Sequence, residues 1–274
     1  VKNRSQIFGY YDHNMLVMSE RITDHLPKSD KYTPKQRMWY IRAKQVVISS
    51  GSIERPIVFG NNDTPGVVLA SAAKEYMKVY GVLVGKKPVI FTNNDSAYET
   101  AIEFKKNNIN PIVLDSRKNP QSEIIKEALS LGIEVKFSHV VVAAKGYKKV
   151  KSCDIAMISD NKENLIDITN IKCDCICVSG FWTPTIHLAS QSGSKTKFVE
   201  DIDAFIPDKS KQKEITLGSA NGVFTLDETL KTSFQKGYEL SKEITNQDNK
   251  LQSPQVSEKQ QSKHSFLIIK ILGF

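Results

Sequence analysis

The sequence predicts an α/β fold in which a parallel βαβαβ layer is inserted into a second, partly antiparallel unit, and three observations carry that expectation. Between Lys87 and Phe137, short runs rich in Val and Ile alternate with amphipathic stretches at helical spacing. On either side, residues 1–50 and 140–180 alternate apolar and polar residues in short segments, the pattern of antiparallel meanders. Small or glycine-rich turns follow three of the apolar runs, at 49–51, 92–97 and 218–222, the strand ends at which open α/β sheets bind ligands.

Taken in order, Gln6–Tyr11, Met15–Ser19 and Met38–Ile41 read as a meander. Val46–Ile48 reads as a strand that ends in the small-residue turn Ser49, Ser50, Gly51. Residues Gly66–Tyr80 carry Val67, Ala70, Ala73, Tyr76, Met77 and Tyr80 along one side and predict a helix. The inserted unit then runs as strand Pro88–Phe91, helix Ser96–Lys106, strand Pro111–Leu114, helix Ser122–Leu131 and strand Glu134–Phe137. Right-handed crossovers make these strands parallel. Short β segments follow at Val140–Ala144, Val150–Ile158 and Asn164–Ile168, and then a strand bearing Cys173, Cys175 and Cys177 that ends at Ser179 and Gly180. The segment 215–224, ITLGSANGVF, predicts a strand, a glycine-rich turn and a following helix. The expected division is 1–84 for the remainder of a first nucleotide-binding domain, 85–180 for an inserted second one, 181–244 for the return, and 245–274 for a poorly structured tail.

The turn after Phe91 has the layout of a dinucleotide-binding fingerprint. There the first glycine permits the tight turn, the second lets backbone approach a pyrophosphate, and the third allows helix and sheet to pack closely. Here those places hold Thr92, Asn94 and Ala97, with Asn93, Asp95 and Ser96 between and beside them. Ala97 is an accepted small residue, whereas Thr92 is β-branched and Asn94 adds bulk where a phosphate sits, so this second site is degenerate. Asp115, about 20 residues on, stands where an acid binds a ribose 2′-hydroxyl, or is a turn-forming Asp before Ser116. Arg117 beside it favours a 2′-phosphate instead.

The 274 residues, 40% hydrophobic and 25% charged, suit a water-soluble globular chain of one large or two ordinary domains. The formal charge of +8 has its sharpest cluster at Lys145, Lys148, Lys149 and Lys151, read as a solvated loop because no nucleic-acid motif accompanies it. Cys173, Cys175 and Cys177 alternate along one strand and are expected to face one way as small buried hydrophobes. No CxxC pair or metal-ligand spacing is present, His13, His25, His139, His187 and His264 form no triad, and a reducing cytoplasm is the expected compartment. No apolar run is long enough to span a bilayer, so no membrane partner is expected. The chain starts at Val1 inside sheet and turn, which reads as a piece of a longer protein.

In this order the elements resemble the Rossmann-like two-dinucleotide-binding-domain fold of the thioredoxin and glutathione reductase type, with its first domain incomplete. FGYYDHN at 8–14, RAKQVVISSGSIERPIVFGNNDTPGV at 42–67, FTNNDSAYETA at 91–101 and VSGFWTPTIHLASQSGSK at 178–195 resemble the alpha-subunit family of heterotetrameric sarcosine oxidases over residues 1 to about 240. Related opine oxidases and hydrogen cyanide synthase subunits share parts of this layout. The resemblance implies oxidative demethylation of sarcosine, a small amine, to glycine. It implies FAD in the beta subunit, FMN at the alpha-beta interface, NAD in the alpha subunit, and transfer of the one-carbon unit to tetrahydrofolate by a region downstream. It also implies gamma and delta subunits, a glycine fingerprint upstream of Val1, and no catalytic residue in this stretch. Ser49, Ser50 and Gly51 match the family's small turn beside the dinucleotide, and Arg55 pairs with an anionic ligand or with Glu54. Gly218, Ser219, Ala220, Asn221 and Gly222 match the motif that closes the first domain, with Ser219 in place of the usual Asp. Trp182 stacks on a cofactor or anchors the return between domains. Two other roles stay open for the chain: an NAD(P)H-dependent FAD flavoprotein reductase, or a non-catalytic subunit-docking module.

Overall fold

The computed structural model describes residues 1–159 and 164–245; the expected tail from 246 onward and His264 lie outside the described residues. The chain divides into two compact units, Val1–Ile53 with the return from Thr183 onward, and Glu54–Trp182 between them.

The first unit opens with an antiparallel sheet of β1 (Ser5–Tyr11), β2 (Met15–Arg21) and β3 (Gln36–Arg42). The β1–β2 turn places His13 and Asn14 at positive φ, 59° and 52°. Asn14 is a residue that tolerates this region, and its side chain accepts from the Tyr10 hydroxyl at 2.9 Å. The unit continues through β4 (Val46–Ile48) and leaves on β5 (Ser52–Glu54).

The second unit is a three-layer stack. Its elements are β6 (Val67–Leu69), α1 (Ala70–Tyr80), β7 (Pro88–Thr92), α2 (Ser96–Lys106), β8 (Ile112–Asp115), α3 (Glu123–Ser130) and β9 (Glu134–Phe137), then β10 (His139–Lys145), β11 (Ser152–Ile158), β12 (Leu165–Lys172), β13 (Cys175–Ser179) and β14 (Trp182–Pro184), the last leading back to the first unit. The parallel sheet has the order β6-β13-β7-β8-β9, and β10-β11-β12 form an antiparallel sheet over one of its faces. Every residue of β7 and β13 is buried, as a central parallel strand covered on both sides requires. The strand period of two sorts their side chains. Val89, Phe91, Leu114, Ile176 and Val178 meet Val140, Val141, Ile155 and Ile158 of the meander. Ile90, Val113, Cys175 and Cys177 meet Ala73, Ala97, Ala101, Phe104 and Ala128 of the helices. The alanines let the helices approach the sheet closely, which is the use of Ala97 at its turn.

Three expectations are corrected. The helix expected over 66–80 begins only at Ala70, because Val67–Leu69 pair in parallel with Ile176–Val178 as the sheet's edge strand. As a result β6 and α1 lie in the second unit rather than in the expected domain 1–84. Cys173 does not share a strand or face with Cys175 and Cys177: it sits in the turn after β12, in the meander-side core beside Cys153. All four cysteines are free and buried.

The first unit resumes with α4 (His187–Gln191), the hairpin β15 (Thr196–Val199) and β16 (Ala204–Pro207), β17 (Glu214–Thr216), a 3₁₀ turn at Gly218–Asn221 and α5 (Leu226–Thr245). β17 pairs in parallel with β4. Tyr10, Leu16, Val46, Ile48 and Ala189 form its core. Among the described residues no helix is long and apolar enough to cross a membrane.

Candidate functional site

In the second unit the chain proceeds from β7 to β8 on one side and returns as β13 on the other. The crevice between the carboxyl ends of β7 and β13 is therefore the place where such sheets admit a ligand. Side chains fill it. Asn94 is 1% exposed and its amide donates to the Ser179 carbonyl at 3.0 Å and to the Ser179 hydroxyl at 3.1 Å. The same amide donates to Asn93 Oδ1 at 3.0 Å. Its Oδ1 accepts from the Ser96 backbone N–H at 3.0 Å and the Ser96 hydroxyl at 2.6 Å, so the first turn of α2 is capped from within. Thr92 Oγ1 accepts from Asn94 N at 3.1 Å and donates to Asn94 O at 3.0 Å. Trp182 completes the cluster by donating its indole N–H to Ser96 Oγ at 3.1 Å.

The acid expected on a ribose is occupied as well. Asp115 is fully buried, and Arg117 reaches it through Nε at 3.0 Å and Nη2 at 2.8 Å while Nη1 lies 2.8 Å from Asp95. Tyr98 donates its hydroxyl to Asp115 Oδ2 at 2.8 Å. Burial alone lowers the Arg117 pKa, but the Asp115 and Asp95 carboxylates outweigh it and hold the guanidinium above its usual value. Burial first, and then the Asp115 carboxylate, push the Tyr98 phenol far up, so it stays a donor. A pyrophosphate does not fit these residues: the helix start is capped, the small-residue space is filled, and the adjoining charges are paired.

The first unit presents a more open arrangement. Because β4 and β17 are parallel neighbours, Ser49–Gly51 and Gly218–Gly222, separated by more than half the chain, emerge side by side at their carboxyl ends. Leu217 N donates to Ile48 O at 2.9 Å and closes that register. Gly51 and Gly218 have φ of 77° and 65°, the left-handed region that favours glycine, and a Cβ at Gly51 would meet nothing within 4 Å. Ser49 and Ser50 are exposed, and Ser50 Oγ donates to Thr185 O at 2.6 Å. Ser219, Asn221 and Gly222 are partly exposed, whereas Gly218 and Ala220 are buried. A cleft of about 490 Å³ runs beside this turn, lined by Thr216, Leu217, Gly218, Asn221, Lys197 and Lys236 among others. These small residues leave room for close backbone approach at adjoining parallel strand ends. Arg55 lies in the second unit, its backbone paired with Phe181 and Gly180.

Two acids position these segments in a way the sequence reading does not give. Glu54 accepts from Ser71 N at 2.8 Å and Ser71 Oγ at 2.6 Å, capping α1 from a distant strand. Glu214 accepts from Ser192 Oγ at 3.0 Å and from Ser194 Oγ, which fixes the start of β17 to the turn after α4. The neighbouring Gln191 accepts from Tyr10 N at 2.8 Å. The only signal was an acid at one end of each short strand, the last residue of β5 and the first of β17. Among the described residues no group of three or more His, Cys, Asp or Glu side chains is placed to hold a metal ion.

No protein-family model matches the chain. The sarcosine oxidase subunit alpha of Corynebacterium sp. (strain P-1) is 34% identical over 237 residues, which cover 85% of this chain and 24% of that protein. That of Rhizobium meliloti (strain 1021) is 31% identical over 225 residues, 79% of this chain and 21% of that protein. The chain thus spans about a quarter of the length of the curated relatives it matches. Among solved structures, the thioredoxin reductase of Lactococcus lactis superposes with a TM-score of 0.56 at 14% identity, over 81% of this chain and 67% of that one. The L-proline dehydrogenase of P. horikoshii does so at 0.53 with 22% identity, over 79% and 36%. At such identities the likeness establishes the fold, α/β of the two-dinucleotide-binding-domain type. Over the quarter of their length that it matches, the chain belongs by sequence to the family of sarcosine oxidase alpha subunits.

Proposed function

We propose that this chain is the nucleotide-binding scaffold of a sarcosine oxidase alpha subunit, with NAD held in the first unit and the second unit's turn kept for packing. The observation that carries this reading is the pairing of β4 with β17, which brings Ser49, Ser50 and Gly51 beside Gly218, Ser219, Ala220, Asn221 and Gly222 at one pair of strand ends. The turns would hold the phosphates and sugars of the dinucleotide, with small residues permitting close backbone approach. When bound, NAD supplies hydride-transfer chemistry. The residues of this chain bind and orient, and we assign none of them a proton-transfer or nucleophilic role.

In the assembly we propose, sarcosine is oxidatively demethylated to glycine on the FAD-bearing beta subunit. FMN sits at the alpha-beta interface, gamma and delta subunits complete a heterotetramer in the cytoplasm, and the one-carbon unit passes to tetrahydrofolate. The filled crevice at Asn94 counts against an NAD(P)H-dependent reductase, in which that domain must admit nicotinamide. Calorimetric titration of the full-length protein with NAD tests the ligand claim. Gly218→Val and Gly51→Val are expected to abolish binding and Asn94→Asp to leave it unchanged, whereas no binding by the wild type would overturn the reading.

A further inference from the structure

The hairpin turn that joins β10 to β11, residues 146–151, has no part in either strand-end site. Tyr147 at its tip is 93% exposed. Lys148, Lys149 and Lys151 flank it and are exposed, and Lys172 lies across the sheet from Ser152. Among the described residues Lys145 alone of this group has a carboxylate partner, Asp154 at 3.0 Å. Among the described residues Lys148, Lys149, Lys151 and Lys172 are thus left without a carboxylate partner on the hairpin that carries Tyr147 and the strand beside it.

The tip is rigidly built. Gly146 has φ of 152°, and a Cβ there would sit 2.0 Å from the Lys149 carbonyl oxygen, so the turn closes only on glycine. Lys151 N donates to Lys145 O at 2.8 Å, and Val150, fully buried, donates its N–H to Pro65 O at 2.9 Å. A solvated connection has no need of such construction. An element already ordered gives up little conformational entropy when something docks on it.

We propose that this tip docks on an acidic surface of another protein subunit, with Tyr147 as the buried anchor and the four lysines as the steering charge. The proposal rests on the assembly reading above. A projecting Tyr surrounded by polar groups has the composition of an interface anchor. A compact block of uncompensated positive charge selects a negative partner and speeds encounter with it. A single aromatic ring without arginine falls short of the several stacking positions that line a nucleic-acid groove. One apolar side chain also falls short of the two signals a stable membrane attachment takes.

The test uses the affinity-tagged full-length protein isolated with its whole assembly, carrying Tyr147→p-benzoylphenylalanine as a photocrosslinker. A crosslink to an acidic segment of a co-isolated subunit is expected. In the partner experiment, Lys148→Glu/Lys149→Glu should slow association with the remaining subunits by about 10-fold or more in about 50 mM salt, and the difference should shrink in about 500 mM salt. The unfolding midpoint of that variant should match the wild type, which separates docking from folding. Absence of a crosslink within an intact assembly, or unchanged association of the charge-reversed protein, overturns the proposal and leaves the assembly reading standing. Binding of a labelled single-stranded oligonucleotide or of phosphatidylserine vesicles that the reversal abolishes overturns the choice of a protein partner. A wild type that isolates without any other polypeptide overturns both readings.

Discussion

Replacing Arg117 by Met removes a cation that faces two buried carboxylates, and the structure sets the size of the effect. The guanidinium lies 2.8 Å from Asp95 and 2.8 and 3.0 Å from the oxygens of Asp115, and its side chain is 4% exposed. At an effective dielectric of about 20 and about 4 Å between charge centres, each of the two ion pairs is worth about 4 kcal/mol of attraction before desolvation is counted. Breaking such a buried pair from one side costs about 3–5 kcal/mol, because the carboxylates remain where water does not reach them. With a urea dependence of about 2 kcal/mol per molar, the unfolding midpoint of the second unit should fall by about 2 M. Trp182 reports on that unit directly, since its indole is bonded to Ser96, and Trp39→Phe silences the other tryptophan. Combining Arg117→Met with Asp95→Leu, Asp115→Leu and Tyr98→Phe should recover most of the loss by removing the stranded charges and the orphaned hydroxyl together. A loss below about 1 kcal/mol for the single variant is what an exposed ion pair gives, and would refute the argument that the crevice is closed.

Three further outcomes are expected. Asn94→Ala strips the Ser96 N–H and Ser179 of their partner in a dry site and should destabilise the second unit by about 1–3 kcal/mol in the same urea assay; a neutral effect would mean water replaces the amide. The four cysteines should stay unreactive toward a thiol reagent at pH 8 in the native protein and all react in denaturant, since all four side chains are buried in the cores, and at Cys153 the hydrogen bond with Cys173 first and then burial push the thiol far up. Glu20 is held below the usual carboxylate range first by the Trp39 indole N–H at 2.7 Å and then by Lys2, so its contribution to stability is present above pH about 4 and lost as pH falls through the lowered value. Trp39→Phe should therefore raise the Glu20 titration seen by NMR toward the ordinary range, and an unchanged titration would assign the shift to Lys2 and Arg37 instead.

How much was legible follows from how local each signal is. Helix Ser96–Lys106 was placed at both ends because its apolar spacing and its polar start are both written in consecutive residues. The start of α1 was misplaced because Val67–Leu69 suit a helix by pattern, and only the arrival of β13 more than a hundred residues later makes them a strand. The cysteine face was misread for the same kind of reason: alternation puts residues on one side only while the strand lasts, and β12 ends one residue before Cys173.

The sequence by itself determined the fold class, because strand and helix periods and the turn layout around Thr92–Ala97 are properties of short stretches, and the resemblance of segments 8–14, 42–67, 91–101 and 178–195 pointed to the family. It also showed that the glycines of that turn are replaced. Only the tertiary structure decided what the replacements do, since Asn94 fills the crevice by bonding to Ser179 and Asp115 is taken by Arg117, and these are partners from separate elements that no spacing rule brings together. The same holds for Ser49–Gly51 and Gly218–Gly222, which become one candidate site through the register of β4 against β17. Hydrogen-bond pairing between strands far apart in the chain is fixed by the packed sheet as a whole, and the residues at the strand ends acquire their neighbours from it.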